Sequence, residues 1–257
     1  MTLDFRFSVY KQLCNSILNS GFKILRVVDF LHLSPESSRE KYLILRHDVD
    51  RSPNKALMMA KIEKEYGIKS TYYFRTRSRT FKKNIMSKIH RMGHEIGYHY
   101  ETLSDSRGDI GLAYNLFSDE LRKFTEIGIE VKTIAMHGSP FSKFDNRDIW
   151  NSYDYSNLGI LGEAYLDIDI SDKFYFTDTG RDYSGVKGNV RDRPRQKYLK
   201  NDDIRTTFDL IEFIKNTDKR LYVSIHPDKW SKTKIGTIYQ GLIVGVKSIL
   251  KDTFLKR

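Results

Sequence analysis

Cysteine occurs once, at Cys14, so a disulfide within the chain is excluded. Cys14 falls at an apolar position of a helical pattern and reads as a small core residue, not a nucleophile. Five prolines and 16 glycines rule out collagen-like and Pro/Gly-rich low-complexity classes. No run approaches the ~18 uncharged apolar residues that cross a bilayer, so no transmembrane segment is expected. The first ten residues carry Asp4 and Arg6 and lack the apolar stretch of a secretory signal. The expected location is therefore the cytoplasm. Internal repeats and Pro-, Gly- or Ser-rich linkers are missing. So are zinc-finger spacing, a Gly-rich RNA-binding signature and a helix-turn-helix pattern.

Positive charge and aromatic rings are plentiful. The 257 residues hold 44 Lys+Arg against 33 Asp+Glu, a formal net charge of +11. Such an excess favours anionic partners. It is spread along the chain, however, and its densest stretches, Arg75 to Lys83 and Arg191 to Lys200, are interleaved with hydroxyls, aromatics or acids. Most of it reads as solvated surface, and nucleic acid is not the expected partner. The 16 Tyr, 15 Phe and 2 Trp supply core material and exclude intrinsic disorder.

The pattern along the chain is short β-rich runs alternating with helical periodicity. Helices are expected at Phe7 to Asn19, Pro53 to about Tyr66, Lys82 to Met92, Asp109 to Thr125, Ile204 to Lys215 and Thr237 to Leu250. Strands are expected at Tyr42 to Arg46, Ser70 to Arg75, His94 to His99, Val131 to Met136, Phe174 to Thr177 and Leu221 to Ile225. Residues 141–200 read as an irregular, loop-rich insertion. This alternation predicts one α/β domain over residues 1–257, with a parallel sheet or (β/α) barrel and the N-terminal helix 7–19 packed on it. Parallel strands share a C-terminal edge, where sites are built.

Several strands end there in polar groups. Asp48 and Asp50 stand at i and i+2, so both carboxylates face one side of an extended segment. They repel unless a proton or cation is shared. His99 and Glu101 have the same relation, and His137 and His226 end two further strands. Asp, His and a third N/O ligand around an open position is a catalytic-metal arrangement, with zinc the first choice. The plainer reading of Asp50-Arg51-Ser52-Pro53 is a helix cap; the coincidence of acids and histidines at several strand ends favours chemistry. His94 reads as structural. Candidate substrate contacts are Arg75, Glu163, Asp178 and Arg181, with Trp150 and Trp230 able to stack on a sugar or to fill core.

The strings Asp48-Val49-Asp50, Gly93-His94-Glu95-Ile96-Gly97-Tyr98-His99 and Ile225-His226-Pro227 resemble the motifs of the polysaccharide deacetylase family (NodB-homology, family 4 carbohydrate esterases) over roughly residues 42–230. The wording around His47, Glu101 and Asp228-Lys229-Trp230 is similar to a branch linked to bacterial surface-polysaccharide (O-antigen) synthesis. The resemblance implies a distorted (β/α) barrel of about seven parallel strands and a divalent metal. It also implies hydrolysis of an N- or O-acetyl group on an acetylated glycan or sugar precursor. It casts Asp48 as base, Asp50 and His99 as metal ligands and His226 as general acid. It puts Pro140, with Ser139 beside it, in a substrate-binding third motif whose backbone N–H groups would face the oxyanion. Two departures stand out. The family's second metal histidine, four residues after the first, is Leu103 here, and its third-motif Arg is replaced by Met136-His137-Gly138. The third ligand is then Glu101, preferred for its i, i+2 relation to His99, or His137, or both; otherwise no tight metal is held. A deacetylase fold that has lost its chemistry and binds a glycan or a biosynthetic partner is the competing expectation.

Overall fold

The computed structural model describes residues 4–34, 40–138, 142–185, 194–239 and 241. Eight strands lie in one sheet: β1 Lys23–Leu25, β2 Tyr42–Val49, β3 Thr71–Phe74, β4 Glu95–Tyr100, β5 Thr133–Met136, β6 Gly162–Glu163, β7 Lys173–Thr177 and β8 Arg220–Ile225. Every pairing is parallel. Seven strands follow the order β6-β5-β4-β3-β2-β8-β7, with β1 added beside β2. The path curls into an open half-barrel, as expected for a distorted (β/α) barrel of about seven strands. The main helices are α1 Phe7–Asn19, α2 Val27–Leu31, α3 Pro53–Glu65, α4 Lys83–Arg91, α5 Thr102–Asp105, α6 Ile110–Glu126 and α7 Thr207–Asn216. No helix among the described residues is long and apolar enough to cross a membrane.

Sequence and position explain these elements together. In β2, Tyr-Leu-Ile-Leu-Arg-His-Asp-Val is buried at every residue because the strand lies between β3 and β8 with both faces covered. In α1, Phe7, Tyr10, Cys14 and Ile17 recur at helical spacing and are all buried. The chain then turns at Gly21, whose φ of +70° suits glycine. Register sorts the β2 side chains by face. Arg46 and Asp48 turn into the barrel with Tyr73, Tyr222 and Ser224, whereas His47 turns outward toward α3. Gly97 of β4 lies under the Tyr73 ring; a Cβ there would come within 2.3 Å of it.

Two features hold the barrel from opposite sides. At the open seam, the Tyr222 hydroxyl of β8 donates to the Ala164 carbonyl, just after β6, at 3.0 Å. On the outer face, fully buried Glu63 of α3 accepts from His47 Nε2 (2.6 Å), Tyr72 (2.7 Å), Ser70 (2.8 Å) and Tyr10. Burial pushes the Glu63 carboxyl up, but these partners prevail and hold it at about 2. His94 is buried in the same layer, against Ser70 and the Ala60 carbonyl, and Cys14 is buried in the core.

The differences from sequence expectation are short elements. β1, α2 and the two-residue β6 are too brief to leave a periodic signal. Helix from 234 to 239 opens the expected C-terminal helix, and the remainder to Leu250 lies outside the described residues, residue 241 apart.

Candidate metal centre

The C-terminal edge of the sheet collects the polar groups. Asp50 follows β2, His99 sits near the end of β4, and His137 follows β5. One ligand atom from each of these three residues lies within 4.8 Å of the others. Asp50 Oδ1 is 3.5 Å from His99 Nε2 and 3.6 Å from His137 Nε2. The two imidazoles meet edge to face, with ring centroids 5.2 Å apart.

Each histidine is aimed by its other nitrogen. His99 Nδ1 lies 3.0 Å from the Ala135 carbonyl oxygen. A carbonyl only accepts, so Nδ1 carries the proton and Nε2 presents a lone pair in the neutral ring. His137 Nδ1 lies 3.1 Å from Glu101 Oε2. Burial works against the Glu101 charge, but His137, Arg75 and Arg77 outweigh it and hold the carboxyl well below the ordinary range. As a carboxylate it accepts from Nδ1, which again leaves Nε2 for the centre. Backbone carbonyl and carboxylate partners of this kind fix tautomer and orientation at metal-binding histidines.

Asp50 completes the fit. Its Oδ1 is buried and has no hydrogen-bond partner among the described residues. Burial raises its carboxyl, yet His137, His99 and His226 together bring it well below the usual carboxylate range. A carboxylate oxygen facing two imidazole nitrogens suits zinc or a similar divalent cation. Asp50 caps no helix: the residue preceding α3 is Ser52, which makes no side-chain cap bond.

Glu101 stands outside this trio. Its Oε1 takes Arg75 Nε (2.9 Å) and Arg77 Nε (2.6 Å), so the group supports His137 from behind. Arg75 is thereby committed to Glu101 and is not an open rim for substrate. Leu103 is buried at the start of α5.

Two further pairs flank the trio. Asp48 is fully buried. Its Oδ2 accepts from Arg46 (3.0 Å) and Ser224 (3.1 Å), while Oδ1 has no hydrogen-bond partner among the described residues. His226, just after β8, places Nε2 3.9 Å from Asp48 Oδ2. Its Nδ1 lies 2.7 Å from Asp178 Oδ1, and its backbone N–H donates to the same carboxylate. Asp178 also accepts from the Trp230 indole at 2.9 Å. Burial pushes the Asp178 carboxyl up; Lys229 and His226 turn the balance and lower it. Asp178 is thus the partner of His226, a role that sequence reasoning did not assign. Only the juxtaposition of β7 and β8 reveals it. Arg46, the buried partner of Asp48, was likewise missed, although its place two residues upstream puts it on the same face.

Other expected substrate contacts lie elsewhere. Trp230 is 0% exposed, packed edge-on against Phe5 and Tyr10, and cannot stack on a sugar. Trp150 donates to Tyr100 at 2.8 Å and packs on Phe117. Glu163 belongs to β6 and is fully buried; its carboxylate accepts from the backbone N–H of Met136, Tyr165 and Leu166. Burial raises its pKa to about 7, and it ties β6 to β5. Arg181 donates to the Lys229 carbonyl at 2.6 Å and covers the Phe5 ring. Ser139, Pro140 and the proposed oxyanion N–H groups lie outside the described residues.

No protein-family model matches the chain, and no curated protein matches it. Among solved structures it is similar to the CE4 domain of a multidomain xylanase from the hindgut metagenome of Trinervitermes trinervoides. That match has 15% identity over 83% of this chain and 84% of that one, with a TM-score of 0.38. It is also similar to a family 4 carbohydrate esterase from Bacillus anthracis, at 13% identity over 90% and 82% of the two chains, TM-score 0.39. A third is a CE4 family pseudoenzyme from Bacillus anthracis, at 14% identity over 81% of this chain and 62% of that one, TM-score 0.42. Both carbohydrate esterases and a pseudoenzyme thus stand among the neighbours, and identities this low leave the chemistry to the residues themselves.

Proposed function

We propose that the protein is a metal-dependent hydrolase that removes an acetyl group from a sugar, either in a bacterial surface polysaccharide such as O-antigen or in its precursor. The observation that carries this reading is the convergence of Asp50 Oδ1, His99 Nε2 and His137 Nε2, with Asp48 and His226 beside them. Asp50, His99 and His137 would hold the divalent cation, zinc in the first instance. When bound, such an ion supplies Lewis acidity toward an acyl carbonyl and a water.

The chain's own groups do the rest. Asp48 Oδ1, buried and without a hydrogen bond among the described residues, takes a proton from the attacking water. Arg46 and Ser224 hold the other oxygen and keep the carboxylate aligned. His226 gives a proton from Nε2 to the leaving amine or alkoxide, while Asp178 holds Nδ1–H and favours the imidazolium. His137 takes the place that the resembling family gives to a histidine at position 103.

The test is acetate release from acetylated amino-sugar oligomers and from O-acetylated sugars, with the metal-free protein and after adding zinc or cobalt. Metal-dependent release from either class supports the reading. Inactivity on both, with stoichiometric metal bound, replaces it by a glycan-binding protein on the same fold.

A further inference from the structure

A second feature opens beside the metal centre. A cleft of about 910 Å³ is lined by Arg51, Lys55, Arg79, Lys82 and Lys83, with no acidic residue in its wall. Among the described residues, Arg51, Arg79, Lys82 and Lys83 have no carboxylate within ion-pair distance; Lys55 is held by the Asp228 backbone carbonyl at 2.8 Å. Some exposed cations elsewhere do find acids, as Lys11 does with Glu65 and Arg195 with Asp148. Four of the five cations thus stand in one wall without an ion-paired carboxylate among the described residues.

Local structure sharpens the point. Lys55 lies in the first turn of α3, and Lys82 and Lys83 begin α4. Positive charge at a helix N-terminus opposes the helix dipole. Neither helix has an acid in its first turn or a side-chain cap bond. The arrangement goes unrelieved by the chain itself, and an anion in the cleft would relieve it.

Position links the cleft to the chemistry. Arg51 is the residue after Asp50. Arg79 precedes Thr80, whose hydroxyl donates to the Asp50 carbonyl at 3.0 Å. The cleft wall is thus joined directly to the segment that carries Asp50. A single carboxylate would leave most of five positive charges uncompensated, whereas a phosphate or diphosphate group matches them better.

We propose that this cleft is an anion subsite of the same centre, holding the phosphate or diphosphate of a phosphorylated sugar substrate. The sugar part rests on the hydrolase reading; anion binding does not.

The test is isothermal titration of the metal-free full chain with inorganic pyrophosphate at low ionic strength. Pyrophosphate is expected to bind, and more tightly than galacturonate. The double substitution Arg79→Glu with Lys83→Glu is expected to weaken it by roughly tenfold or more, and Arg79→Gln with Lys83→Gln by less, with helix content unchanged. Lys197→Glu with Lys200→Glu alters net charge equally on another exposed segment and is expected to leave the affinity within about twofold. Absence of pyrophosphate binding, equal losses in both charge reversals, or tighter cleft-dependent binding of a single-stranded oligonucleotide would overturn the proposal. Pyrophosphate binding without acetate release on any substrate refutes the hydrolase alone; acetate release without pyrophosphate binding refutes the subsite alone.

Discussion

Glu101→Gln distinguishes a ligand from a group that aims a ligand. In the fold, one Glu101 oxygen holds Arg75 and Arg77, and the other reaches His137 Nδ1 at 3.1 Å. Only the second acts on the centre. The Gln carbonyl still accepts from Nδ1, so the tautomer survives and one charge-assisted hydrogen bond becomes a neutral one. Such a bond is worth about 1.5–3 kcal/mol when charged and about 1 kcal/mol when neutral. The difference, about 0.5–2 kcal/mol, corresponds to a metal affinity weakened by roughly 2–30-fold, milder than the about 10–100-fold of losing an outer partner outright. His137→Ala removes one of three donors outright, and stoichiometric metal should vanish. Competitive titration with a chromophoric chelator, or cobalt(II) absorption as a report on donor set, measures both variants. Full metal retention in His137→Ala together with complete loss in Glu101→Gln would refute the assignment and make Glu101 the ligand.

Further outcomes follow from the flanking pairs and the outer layer. Asp48→Asn should keep metal and lower acetate release by roughly 10²–10⁴-fold, as loss of a general base does; an unchanged rate would remove Asp48 from the chemistry. His226→Ala should hurt amide substrates more than esters, because an amine leaves only when protonated. Asp178→Asn should imitate it in rate and also shift the pH profile; a profile identical to wild type would confine Asp178 to structure. Glu63 lies at about 2 against an ordinary 4.5, so its folded form binds protons less readily than its unfolded form. Its stabilisation, about 3 kcal/mol, is fully present above about pH 4.5 and is lost as pH falls through about 2. Glu63→Gln should therefore cost a few kcal/mol near neutrality and flatten the acid limb of urea-denaturation curves; equal stability of the two proteins at pH 7 would contradict the buried network.

The long elements were legible in the sequence because their periodicity is strong: α1 runs over the expected residues, and β2 to β5, β7 and β8 lie on or near theirs. The metal trio was half legible. Asp50 and His99 lie at the ends of strands readable in the sequence, but Glu101 and His137 both follow strands, and pattern alone left the third position open. Side-chain direction separates them: Glu101 turns to two arginines. Asp178 and His226 lie 48 positions apart, and no local pattern joins them. Trp230 failed as a sugar platform for a related reason. Its ring fits a cavity formed by Phe5 and Tyr10 from the N-terminal segment, a contact that only the folded chain creates.

The trio also bears on how the molecule folds. His99 and His137 meet Asp50 from 49 and 87 positions further along the chain. None of these contacts is local, so their loop-closure entropy is met only when β5 docks on β4. A collapsed chain with helices formed but β5 undocked holds no trio. During refolding from urea, cobalt(II) absorption should therefore rise with the slowest phase, behind the far-ultraviolet circular dichroism. A cobalt signal that appears together with the earliest helical signal would place the docking of β5 early instead.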